Sequence, residues 1–201
     1  MSRLKLILLL AIPVMAGIVV GLWLSQRLAP PDAANPYAAV GGDFTLQSAD
    51  GPVSLHDFRG KVVMVYFGYT SCPDICPTSL TMMAGAMKLL TPEEREQVRG
   101  IFISVDPERD RPQGMKEYAA YFHPNFIGVV GTPEETAEIA GRYGVYYKKA
   151  PYDESAMGYG VDHSSTVYVV GRDGQVVDQV MHGATPEKIA ASLRRALARS
   201  H

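Results

Sequence analysis

The sequence predicts an α/β domain built around a parallel βαβ unit and preceded by one transmembrane helix. Three observations carry that reading. "KVVMVYFGY" at 61–69 and "GIFISVD" at 100–106 are continuous apolar, β-branched and aromatic runs, as buried central strands are. Between them, "PTSLTMMAGAMKLL" sets Leu80, Met83, Met87 and Leu90 along one helical face. Ahead of both, "LILLLAIPVMAGIVVGLWL" at 6–24 carries no charge, close to the ~20 apolar residues that cross a hydrocarbon core as a helix.

Arg3 and Lys5 precede the apolar run, which puts residues 1–5 in the cytoplasm and the rest of the chain outside. Trp23, at the far end, suits the membrane interface. A cleaved signal peptide has a shorter apolar region, ~7–15 residues, and an A-x-A-like site. "RLAPPDAANPYAAVGG" offers no clean A-x-A, so residues 6–24 are read as an uncleaved anchor. Residues 25–42, rich in Ala, Pro and Gly, read as a flexible tether. Residues 43–201 are enough for one domain with its own core.

Within that domain, "FTLQS" and "VSL" supply a leading hairpin before the first central strand. Strand, helix and strand then make a right-handed crossover. "RPQGMKEYAAYF" reads as a helix and "FIGVV" as a short strand. "TPEETAEIAGRYG" is a helix with Thr132 as N-cap, Pro133 in first position and Glu135 closing a capping box. "STVYVV" and "QVVDQVM" are strands joined by the hairpin signal "GRDG". "TPEKIAASLRRALARS" closes the chain as a helix. This order is that of a thioredoxin-like fold with an N-terminal hairpin extension and an insertion. Net charge is −2, with no basic run beyond the membrane flank, so nucleic-acid binding has no electrostatic basis.

The chain has only two cysteines, Cys72 and Cys76, in "YTSCPDICPTSL". A bridge across so few residues restrains little of the unfolded chain, which argues against a merely structural disulfide. The pair lies where the first central strand turns into a helix. With Pro77 as first helical residue, Cys76 is the expected N-cap, and the helix N-terminus favours thiolate. Dithiol oxidoreductases of this fold generally use C-x-x-C with a proline facing it. Here one more residue separates the cysteines, and no proline occurs between Pro151 and Pro186. The corresponding loop, "YGVDHSSTVYVV", instead delivers His163. Two thiolates and an imidazole suit copper in either oxidation state, Cu(I) or Cu(II), and can also suit zinc. Structural zinc wants a fourth protein ligand, and His56, His123, His182 and His201 have no evident reason to be near.

"YFGYTSCPDICPTSL", "ISVDPERDRPQ" and "YGVDHSSTVYVV", with "FIGVVGTPEE" between the last two, resemble the signature blocks of the Sco/SenC family of membrane-anchored copper chaperones for cytochrome c oxidase assembly. The resemblance implies a copper site at Cys72, Cys76 and His163. It further implies delivery to the binuclear copper centre of oxidase subunit II, or reduction of that subunit's cysteines before loading. Asp106 matches a family acidic residue near the site associated with metal transfer or partner contact. A periplasmic copper donor and a thiol reductant are implied partners. The short N-terminal anchor, without an Arg- and Ser-rich presequence, fits a bacterial inner membrane with the folded domain in the periplasm.

Delivery requires no turnover. The enzymatic alternative is a thiol–disulfide oxidoreductase using Cys72 or Cys76, and a redox or copper sensor would use the same residues. Asp74 is a local hydrogen-bonding candidate in the turn, and Asp106, before Pro107, is equally a turn residue. Met82, Met83 and Met87 fit core packing by their helical spacing. Met157, in a polar loop six residues before His163, is a candidate transient copper contact.

Overall fold

The computed structural model describes residues 14–15, 17–21, 23, 35–151 and 158–199. The chain divides into two compact units, Met1–Pro36 and Tyr37–His201. In the first, the described residues between 14 and 23 are helical and exposed. Among the described residues no helix is long and apolar enough to cross a membrane. The anchor expected over 6–24 falls largely outside the described residues, as do Met157 and His201.

The second unit is organised by a five-stranded sheet of order β5-β4-β3-β8-β9. Its centre is β3 (Val62–Gly68), every residue of which is buried. On one side β3 runs parallel to β4 (Val98–Ser104), which pairs in parallel with β5 (Phe126–Val129). On the other side it pairs antiparallel with β8 (Val167–Val170), which turns back into β9 (Val176–Val180). β1 (Thr45–Ser48) and β2 (Gly51–Ser54) form the leading hairpin, and Gln47 bridges to Val130. The thioredoxin-like order of elements is thus realised in the sheet. Tyr37 to Gly42, assigned to the tether by composition, lie against this unit: the Gly41 amide donates to the Arg142 carbonyl at 2.9 Å.

Successive residues of β3 point to opposite faces. Phe67 meets Tyr143 and Tyr168, so α4 (Pro133–Tyr143) covers that face. Thr132 caps α4 in a capping box with Glu135, and Gly144 ends it in the left-handed region at φ 67°. Tyr66 stacks on Phe102, which meets Tyr118 of α3 (Pro112–Phe122) on the other face. There also lies α1 (Ile75–Leu89), whose Leu80, Met83 and Met87 are fully buried. A one-turn helix, α2 (Pro92–Glu96), leads from α1 into β4, and α5 (Pro186–Ala198) packs on α1.

Two details differ from the sequence expectation. α1 begins at Ile75 with Asp74 in the N-cap position, so Cys76 is a first-turn residue rather than the cap. Pro77 does not force a later start, because a first-turn amide has no intrahelical partner to lose. The insertion is a second hairpin, β6 (Tyr147–Pro151) with β7 (Tyr159–His163), and His163 is its last strand residue, paired with Tyr147, instead of a loop residue.

Candidate metal centre

The buried β3 ends at Gly68, the chain turns through 69–74, and α1 starts. That turn puts Cys72, half-buried, and Cys76, buried, at the N-terminus of a helix. Hairpin β6–β7 brings in His163 from 87 residues away. The sulfurs of Cys72 and Cys76 and a ring nitrogen of His163 all lie within 4.8 Å of one another. His163 Nε2 is 3.2 Å from Cys76 Sγ, and Nδ1 is 3.0 Å from the Ser164 carbonyl oxygen. A carbonyl only accepts, so Nδ1 carries the hydrogen and Nε2 turns its lone pair toward the sulfurs.

The two thiols share one proton unequally. Contact with Cys76, joined by the backbone amides of Asp74 and Cys76, holds the Cys72 thiol down at about 3. The Cys76 amide donates to Cys72 Sγ at 3.4 Å, as an unpaired amide at a positive helix end does. Cys76 is driven the other way, by its bond to Cys72 and by burial. Cys72 is therefore the thiolate and Cys76 the thiol. In the reduced chain, alkylation is expected to modify Cys72 first, with a rate that stays nearly level as pH falls from 8 to about 5, since thiolate is lost only near its depressed pKa. Peptide mapping after timed alkylation measures it; a rate falling tenfold per pH unit below 8 would contradict the assignment.

Gly68 was not legible as a site residue. A Cβ built on it would lie 2.6 Å from Cys76 Sγ and 2.8 Å from Phe102 Cε2. The bare α-carbon is what lets the sulfur sit against the end of β3.

The two aspartates of "SVDPERD" hold the two arms of the centre. Asp110, buried, accepts from the Thr70 hydroxyl at 2.5 Å and the Thr70 amide at 3.3 Å, fixing the cysteine turn. It also accepts from the Ser104 hydroxyl at 2.5 Å. Burial raises its pKa, against those hydrogen bonds. Asp106, also buried, pairs with Arg109 and accepts from the Tyr159 hydroxyl at 2.9 Å. Arg109 lies 3.8 Å from the Tyr159 ring centre and donates to the Tyr159 carbonyl at 2.9 Å. Tyr159 opens the strand that ends in His163, so Asp106 acts on the histidine arm and does not join the three clustered ligand atoms. The Tyr69 hydroxyl, accepting from the Val161 amide at 3.2 Å, ties that strand to the cysteine turn. Asp110→Ala leaves two hydroxyls and an amide without their acceptor and is expected to cost about 2–3 kcal/mol. Denaturant unfolding checks it; an unchanged midpoint would show that the turn stands without Asp110.

Asp74 makes no side-chain cap bond; its carboxylate accepts from the Thr78 hydroxyl at 3.4 Å. His56 is exposed beside Asp43, and His123 accepts from the Asn125 amide at 3.1 Å. His182 lies 3.1 Å from Ser79 Oγ, one turn of α1 beyond Cys76.

The SCO1/SenC family model matches residues 32–198. Over 167 residues, 82% of this chain, it is 41% identical to the mouse mitochondrial SCO2 homolog, of which the match spans 65%. Among solved structures, Bradyrhizobium japonicum ScoI with copper bound is 41% identical with a TM-score of 0.70, covering 79% of this chain and all of that one. BsSco, described with a disulfide switch and as a member of the Sco family of cytochrome c oxidase assembly proteins, is 30% identical with a TM-score of 0.64, covering 82% and 97%.

Proposed function

The chain belongs to the SCO1/SenC family, and from that premise we propose that it carries copper on Cys72, Cys76 and His163 and hands it to the binuclear copper centre of cytochrome c oxidase subunit II. One observation carries the proposal: two sulfurs and an imidazole nitrogen converge within 4.8 Å of one another. Two soft sulfur donors favour Cu(I), and the imidazole accommodates Cu(II). Three ligands leave a coordination position open, as a cargo that must leave requires. The half-buried Cys72 gives an acceptor a way in, while the buried Cys76 stays behind it.

Copper is here cargo, and no turnover is needed. A membrane anchor over 6–24, with the residues between it and Tyr37 as tether and the folded domain on the exported side, would keep the carrier beside a membrane-bound acceptor. The charge-free run and the preceding Arg3 and Lys5 support that placement.

A second reading has its own support in the thiolate–thiol asymmetry. The Cys72 thiolate attacks a disulfide of the target; Cys76, losing its proton, then resolves the mixed disulfide. The target leaves as a dithiol, and Cys72 and Cys76 are left oxidised. Mixing the copper-loaded full chain with the metal-free, reduced subunit II domain, and in parallel the copper-free, reduced chain with that domain oxidised, separates the readings. Transfer predicts stoichiometric movement of copper and a dithiol left reduced. Copper that stays put, with subunit II disulfide reduced by the copper-free chain, would replace delivery by reduction.

A further inference from the structure

The methionines of α1 all pack on the core but are not equally buried. Met83 and Met87 are fully buried, but Met82 is only half-buried and lines a shallow recess on the domain surface. Across it stand Met181, 68% exposed, and His182, from the turn between β9 and α5. An exposed methionine next to a second methionine and a histidine is a soft donor set: two thioethers and an imidazole.

The neighbours of these donors are arranged as those of ligands are. The Ser79 hydroxyl lies 3.1 Å from His182 Nδ1, so that, with Nδ1–H donating to it, the imidazole keeps Nε2 free. The Thr166 hydroxyl donates to Met181 Sδ at 3.7 Å, which holds an otherwise loose side chain and leaves the sulfur a second lone pair. Both hydroxyls come from largely buried residues, so neither is a chance surface contact. Ser79 and Thr166 also each lie three residues beyond a member of the metal centre, Cys76 and His163. The recess is therefore built on the same helix and the same strand exit as that centre.

We infer that Met82, Met181 and His182 form a second Cu(I) site beside the dithiol centre, one that holds copper whatever the redox state of Cys72 and Cys76. Thioethers neither bridge to one another nor carry a proton to lose, so this site stays available when the cysteines are oxidised. The identity of the metal rests on the copper reading of the main centre; the donor set itself does not.

The test uses the full chain in detergent micelles with Cys72→Ser and Cys76→Ser, so that the main centre cannot contribute. Methionine methyl groups are labelled, and Cu(I) is added without oxygen against a competing chelator. The chain has nine methionines, and the methyl signals of Met82 and Met181, assigned through M82L and M181L, are expected to move together as one equivalent binds. M181L, on an exposed side chain that leaves the fold intact, and H182A are each expected to weaken binding by about tenfold or more. No uptake by the thiol-free chain, uptake that moves only other methionine signals, or uptake unchanged by M181L would each overturn the inference. None of these outcomes touches the assignment of Cys72, Cys76 and His163, which this variant lacks in part by design.

Discussion

His163→Ala is expected to lower Cu(II) affinity by more than about a hundredfold while lowering Cu(I) affinity far less, by about tenfold. The asymmetry follows from the donors. Two sulfurs satisfy Cu(I) nearly alone, whereas Cu(II) needs the harder imidazole nitrogen. The variant should still fold: His163 is only half-buried, and its strand stays paired with β6 through backbone bonds. Its ring contacts with Tyr66 and Tyr69, at centroid distances of 6.3 and 5.9 Å, are edge-on and leave a small gap at the surface of the site. The dithiol should still oxidise to a disulfide, because neither sulfur is removed. Parallel titrations with the two ions, with a thiol assay on the same samples, measure all three outcomes. Retained tight Cu(II) binding would remove the imidazole from the ligand set.

Gly68→Ala is expected to destabilise the domain by about 1–3 kcal/mol and to weaken Cu(I) binding as well. The added methyl would enter space now held by Cys76 Sγ at 2.6 Å and by the Phe102 ring at 2.8 Å. Neither neighbour gives way easily. Phe102 is packed between Tyr66, at 6.1 Å, and Tyr118, at 5.7 Å between ring centres. Cys76 Sγ stands beside both Cys72 and His163 in the proposed centre, and its short side chain moves only by leaving them. Stability and copper affinity therefore fall together, unlike at His163, where affinity falls alone. Thermal unfolding and copper competition on the same preparation check the coupling. A variant of native stability that still bound copper tightly would show that the site tolerates displacement of Cys76.

The contrast between these two positions shows what was legible beforehand. Cys72, Cys76 and His163 are chemically marked residues at places that the order of elements brings to one end of the sheet. The strands were legible because β3 and β4 are apolar without interruption, and the cap of α4 because Thr132, Pro133 and Glu135 spell it out locally. Gly68 carries no such mark, since its role is an empty space that exists only when α1 folds back over β3. The supports of the centre are equally nonlocal: Asp110 reaches Thr70 across 40 residues, and Arg109 reaches Tyr159 across 50. Hairpin β6–β7 was missed as structure because "YYKKAP" and "YGVDH" carry no turn signal that pairs them. Helical spacing alone sets Met82 with Met83 and Met87, because it locates the buried stripe but not its flank. Only the turn carrying Met181 and His182, about a hundred residues on, shows what that flank faces.

The carrier account is tested most directly by anaerobic Cu(I) titration of the reduced full chain against a competing chelator, beside the Cys72→Ser, Cys76→Ser double variant. The account predicts one tightly held copper per native chain, lost with the two thiols, so that only the weaker thioether site remains. Native chain that takes up no tight copper, or double variant that holds it as tightly as native, would contradict a dithiol–imidazole copper centre.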